Sequence, residues 1–199
     1  MRNVDRLVAL AVALLLRATP AHAHLMPAQQ GTLNVRDNAV FAALSVPVSA
    51  LHRWDADGDG RMSPSELDAR RAEILVELDA GITIRSDGTA GRRDLLLPSV
   101  AIDEGDPLAA RGGTHLLVLV RQSFDTAPGT VQLRLSLFGR IAAEREFLVK
   151  ALHRGTGPEV AIITPADAMH DYFAPDFFAS AKGMLSRLVA WCHGLLASS

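Results

Sequence analysis

Alternation in twos runs through the middle of the chain. Val131, Leu133, Leu135 and Leu137 alternate with Gln132, Arg134 and Ser136, the pattern of a strand with one face on a core and one in solvent. Thr32–Val35 and Ala39–Val46 are two β-rich runs, and Arg36-Asp37-Asn38 between them suits a tight hairpin turn. Gly81–Arg85 reads as a short strand closed by Ser86-Asp87-Gly88. His115–Phe124 is almost wholly apolar at its centre, which predicts burial on both faces. Glu144–Leu152 and Glu159–Thr164 complete the set. The fold class expected is mainly β, an antiparallel sandwich of about seven or eight strands.

Three segments depart from this pattern. Residues 1–23 read as a signal peptide: Arg2 and Arg6, the apolar run Leu7–Leu16, then Ala21-His22-Ala23 as the small-x-small cleavage pattern. The ten-residue run is too short for a spanning helix, which needs about 20 residues. The protein is therefore expected outside the cytoplasm, in the periplasm or beyond. Residues 166–199 read as a tail whose Phe177, Ala181, Met184, Leu185, Leu188, Cys192, Leu195 and Leu196 fall on one helical side. That stripe suits packing on the sandwich, a membrane surface, or a membrane-protein partner docked through residues 177–196. Between these segments lies the sandwich domain, 24–165, with an acidic loop and a helix inserted at 49–79.

Composition narrows the chemistry. The 199 residues carry 20 Lys and Arg against 22 Asp and Glu, so no basic excess exists to neutralise nucleic acid. Cleavage after Ala23 removes three arginines and one aspartate and leaves 17 basic against 21 acidic side chains. A single cysteine, Cys192, excludes an intrachain disulfide and a Cys-based zinc site. No nucleophile elbow, HExxH pair, phosphate loop or paired catalytic acids occurs, so no enzyme is expected.

The insertion carries the strongest signal. Residues 55–66 read DADGDGRMSPSE, which fits D-x-D-x-D-G-x5-E throughout. Ca²⁺ takes six to eight oxygens at about 2.3–2.6 Å. Asp55, Asp57 and Asp59 supply carboxylates from positions 1, 3 and 5. Gly60 permits the bend at position 6. Arg61 offers its backbone carbonyl, and its own charge is given no part. Ser63 acts through its hydroxyl or a water, and Glu66 closes the site with two oxygens. Apolar Met62 at position 8 is expected to make a short strand against another segment. Ser63-Pro64-Ser65-Glu66 also reads as a capping box, so the residue that closes the site starts the helix. Leu67, Ala69, Ile74, Leu75 and Leu78 form that helix's apolar stripe, with Arg70, Arg71, Glu73 and Glu77 outside.

This loop resembles an EF-hand. Its entering helix is confined to Val48–Trp54, and no second loop pairs with it, because Ile102–Asp106 lacks the spacing. A lone hand in a sandwich implies structural calcium of extracellular-type affinity, on the order of 10⁻⁵ to 10⁻³ M. More loosely, AHAHLMPAQQGTLNV, FAALSVPVSAL and DADGDGRMSPSEL are together similar to the extracytoplasmic head of bacterial nickel-permease-like membrane proteins of the HupE/UreJ type. That resemblance implies a partner-docking head. The Ala-His-Ala-His-Leu start also resembles copper-carrying sandwich proteins of the CopC type. It implies a copper site built on His24 as the new N-terminus, with Asp167, His170 and Asp171 as the nearest later donors.

Overall fold

The computed structural model describes residues 29–103 and 105–175. Among the described residues, ten strands form two sheets. They are β1 (Gln30–Arg36), β2 (Ala39–Pro47), β3 (Ile82–Ser86), β4 (Thr89–Ala90), β5 (Arg92–Ala101), β6 (His115–Ser123), β7 (Val131–Leu135), β8 (Phe147–His153), β9 (Glu159–Ile163) and β10 (Met169–Tyr172). One sheet has six strands in the order β5-β6-β2-β1-β8-β9, the other four in the order β10-β7-β3-β4. The fold is mainly β and sandwich-like, as the alternation predicts.

The inward positions are the apolar members of each alternating pair. Leu33 and Val35 of β1, Leu44 and Val46 of β2, and Leu116 and Val118 of β6 meet Ile82, Ile84, Leu133 and Leu135 of the smaller sheet in one continuous core. At roughly 25 cal/mol per Å² of apolar surface, this burial is the main stabilising term.

Three sequence expectations change. β1 and β8 run parallel, with Leu33 beside Ala151, while the other pairs are antiparallel. More than a hundred residues separate these strands, so no hairpin imposes a direction on them. β6 is not buried on both faces: it alternates, and its outward Leu119 is 36% exposed. On that outer face Leu119 lies laterally between its register partners Leu97 and Ala43. β5 was not anticipated, because RRDLLLPSVA shows no period. A register shift between Arg93 and Leu95 interrupts the alternation, and Pro98 is tolerated because β5 is an edge strand.

β10 was not anticipated either. It pairs with β7, Tyr172 beside Val131, so the sheet runs into the segment read as tail. The signal segment, His24 and the stripe 177–196 lie outside the described residues. Among the described residues, no helix is long and apolar enough to cross a membrane.

Between β2 and β3 the chain leaves the sheets. A 3₁₀ segment, Val48–Trp54, leads to the acidic loop, which is followed by α1 (Pro64–Ala69) and α2 (Arg71–Gly81). The expected single helix is thus broken at Arg70, whose φ of -121° and ψ of 18° are not helical. Leu67, Ile74 and Leu78 of the expected stripe are buried, whereas Ala69, two positions from Leu67 and so on the opposite side of α1, is exposed.

Candidate metal centre

The loop's shape follows from short side chains accepting bonds from their own backbone. Asp55 accepts from the N–H of Gly58 (2.9 Å) through Oδ1 and from that of Gly60 (2.8 Å) through Oδ2. Asp57 accepts from the N–H of Asp59 at 3.2 Å, and Asp59 from that of Arg61 at 2.9 Å. These bonds curl the backbone round the carboxylates. Gly60, with φ +80°, occupies the left-handed region that a side chain would disfavour. As a result one carboxylate oxygen from each of Asp55, Asp57 and Asp59 lies within 4.8 Å of the others. Among the described residues this is the one group of three such donors. Asp57 and Asp59 are exposed and Asp55 is half-buried, so an ion could reach the group from solvent.

Glu66 stands at the closing end. It reaches back across the loop, its Oε1 accepting from the N–H of Ala56 at 3.1 Å. Its Oε2 accepts from the Ser63 N–H (2.8 Å) and the Ser63 hydroxyl (2.8 Å). The Ser63 Oγ in turn accepts from the Glu66 N–H at 3.2 Å, which completes the expected capping box with Pro64 at N1. The Ser63 N–H above all holds the Glu66 carboxyl below its ordinary range. Partial burial opposes this, the Ser63 hydroxyl and Ala56 N–H reinforce it, and the Asp57 charge opposes it. The structure therefore brings three aspartates together but does not bring Glu66 into the same group: its carboxylate is engaged with the Ala56 N–H and in the helix cap. With about four acceptor directions on a carboxylate, Oε1 retains a free one.

Two straps hold the loop to the sandwich. On the entering side the Trp54 Nε1–H donates to Glu77 of α2 at 2.6 Å, and Arg53 lies 3.4 Å from the same oxygen. Glu77 is thus a fastening and not simply an outward charge. On the far side Met62 forms a two-way bridge with Gly113, N–H to O at 2.9 and 3.1 Å. In place of the short strand expected at position 8 there is this single isolated bridge, and its partner is the connection between β5 and β6. Arg61 runs along the same connection: its guanidinium donates to Asp106 (2.7 Å), to the Gly112 carbonyl (2.9 Å) and to the Leu108 carbonyl (3.4 Å). Sequence reading gave neither the Arg61 charge nor Asp106 a part. The available hint was the acidic run from Asp103 to Asp106, set aside because its spacing suits no second loop.

Among the described residues, Asp167, His170 and Asp171 form no group of three metal donors. His170 faces Glu159 at 3.2 Å and stacks on Tyr172, His153 packs against Phe173, and His115 is bonded to Gln29 and Thr114. Burial, partly offset by the Glu144 charge, lowers the pKa of His115. A polar cleft of about 850 Å³ opens at the other end of β2 and β6, between Asn38, Asp87, Arg92 and Ser123. Its Asp87 is occupied in fastening a turn. Comparison with protein-family models and with curated proteins gives no match to this chain.

Proposed function

We propose that the protein binds one calcium ion at Asp55–Glu66, and that the ion serves to order the insertion between β2 and β3. The observation that carries this reading is the approach of one oxygen from each of the three aspartates to within 4.8 Å of the others, in a loop whose every specified position is filled. Hard carboxylate oxygens suit Ca²⁺, and the exposed setting suits an ion exchanged with solvent. In this reading Asp55, Asp57 and Asp59 give side-chain oxygens, Arg61 its carbonyl, and Ser63 its hydroxyl or a water. Glu66 adds its carboxylate while still capping α1. Like charges so close repel one another without a cation, so binding relieves a cost that the folded loop otherwise bears. The role is binding and not catalysis, in an exported domain.

Thermal melting in calcium and in chelator tests this. Calcium at a hundredfold excess over its dissociation constant adds about 2.7 kcal/mol. For a chain of this size that raises Tm by roughly 5–10 °C. Asp59→Ala should abolish the rise, and Cu²⁺ should not substitute for Ca²⁺. A wild-type melt indifferent to calcium up to about 0.1 M, a hundredfold above the weakest expected dissociation constant, refutes the reading.

A further inference from the structure

The connection between β5 and β6 does for this loop what no part of the loop does for itself: it accounts for the Arg61 charge. Arg61 occupies the middle of an anion-rich loop, where an unpaired guanidinium would repel an incoming dication. Its side chain is only 11% exposed, laid against Asp106, Leu108 and Gly112. Asp106 is itself held in place: its Oδ1 accepts from the Leu108 N–H at 2.9 Å, its N–H donates to the Asp103 carbonyl, and its own carbonyl accepts from Ala109. The ion pair sits one residue from the Met62–Gly113 bridge, so the side chain and backbone of 61–62 are fixed by the same segment.

We infer that Asp106 is a positioning residue for the calcium loop, neutralising the Arg61 guanidinium and setting the Arg61 backbone where its carbonyl can face the ion. This rests on the calcium reading above. The β5–β6 connection thereby becomes part of the metal site without supplying a ligand, and calcium binding tightens residues 105–113 together with 55–66. The role is electrostatic as well as geometric. Removing the carboxylate charge leaves a loop residue's guanidinium uncompensated when the ion binds, and salt, which screens such repulsion, should mask the loss.

Calorimetric titration of the full chain with Ca²⁺ tests it. Asp106→Asn should weaken binding about tenfold at low ionic strength, less at 0.5 M salt, with Asp106→Glu restoring most of it. In an Arg61→Ala background the same Asp106→Asn change should alter affinity less than twofold. Two outcomes overturn the inference while leaving the calcium site standing: Asp106→Asn binding as tightly as wild type, or losing as much without Arg61 as with it. A wild-type chain that takes no calcium at all overturns both. Loss of native circular dichroism in Asp106→Asn without calcium would assign Asp106 to folding instead, and also overturns the inference. The Arg61→Ala chain, which needs no partner at 106, then serves as the folded control.

Discussion

At the scale of single residues, carboxylates organise backbone at several sharp turns. The loop aspartates do so at 55–59, and Asp87, in the turn between β3 and β4, does so for the Gly129–Thr130 backbone before β7. Asp87, with φ +49°, accepts from the N–H of Thr130 (2.9 Å), the N–H of Gly129 (3.1 Å) and the Ser86 hydroxyl (2.9 Å). The Thr130 N–H first, then the Gly129 N–H and the Ser86 hydroxyl, hold its carboxyl below the ordinary range. A carboxyl lowered in this way stabilises the fold above its unfolded pKa, and that contribution is lost as pH falls through its folded one. Asp87→Asn keeps a residue that accepts positive φ and removes the charge. At pH 7 it should lower Tm by about 2–4 °C, corresponding to about 1 kcal/mol of charge-assisted bonding after solvent screening. Thermal melts across pH should show the gap between wild type and variant closing below pH 4. A gap that stays constant to pH 2 would contradict the assignment.

Elements differ in how far the sequence betrays them. The loop and its helix start were legible, since one set of residues serves two local purposes: spacing of oxygens and capping of α1. The strands with strict alternation were legible for the same reason, a pattern complete within a few residues. β5 escaped because a bulge at Arg93–Leu95 breaks its period and Pro98 speaks against a strand. β10, MHDY, carries no pattern of its own and exists through its pairing with β7. The break between α1 and α2 at Arg70 and the Arg61–Asp106 pair were likewise hidden. The latter joins residues 45 apart in sequence, a relation that only the folded path creates.

The junction of loop and connection makes a sharp test at this scale. Gly112 has φ +120°, and a Cβ there would lie 2.2 Å from the Met62 carbonyl oxygen. Gly112→Ala should therefore part the Met62–Gly113 bridge, while the sheets, which do not use Gly112, stay intact. Hydrogen exchange should show the Met62 and Gly113 amides losing protection by about tenfold or more while β1, β2 and β8 are unchanged. Unaltered protection at both amides would mean that the bridge does not depend on that glycine.

Across the whole molecule, the two sheets and the insertion share one core, and the insertion carries the proposed calcium site. The core is continuous from the two sheets to Leu51, Met62, Leu67, Ile74 and Leu78, so the loop is anchored on both sides by buried apolar residues. Such anchoring is what lets exposed carboxylates be held together at their mutual electrostatic cost. The β5–β6 connection adds a backbone bridge to Met62 and a countercharge to Arg61. The central claim is that this loop is a calcium site, and isothermal titration of the full chain with Ca²⁺ tests it most directly. The account predicts one ion bound per chain with a dissociation constant on the order of 10⁻⁵ to 10⁻³ M, abolished by Asp59→Ala. A titration with no binding heat at any temperature tried, together with amide signals of residues 55–66 that do not move in millimolar calcium, would contradict it.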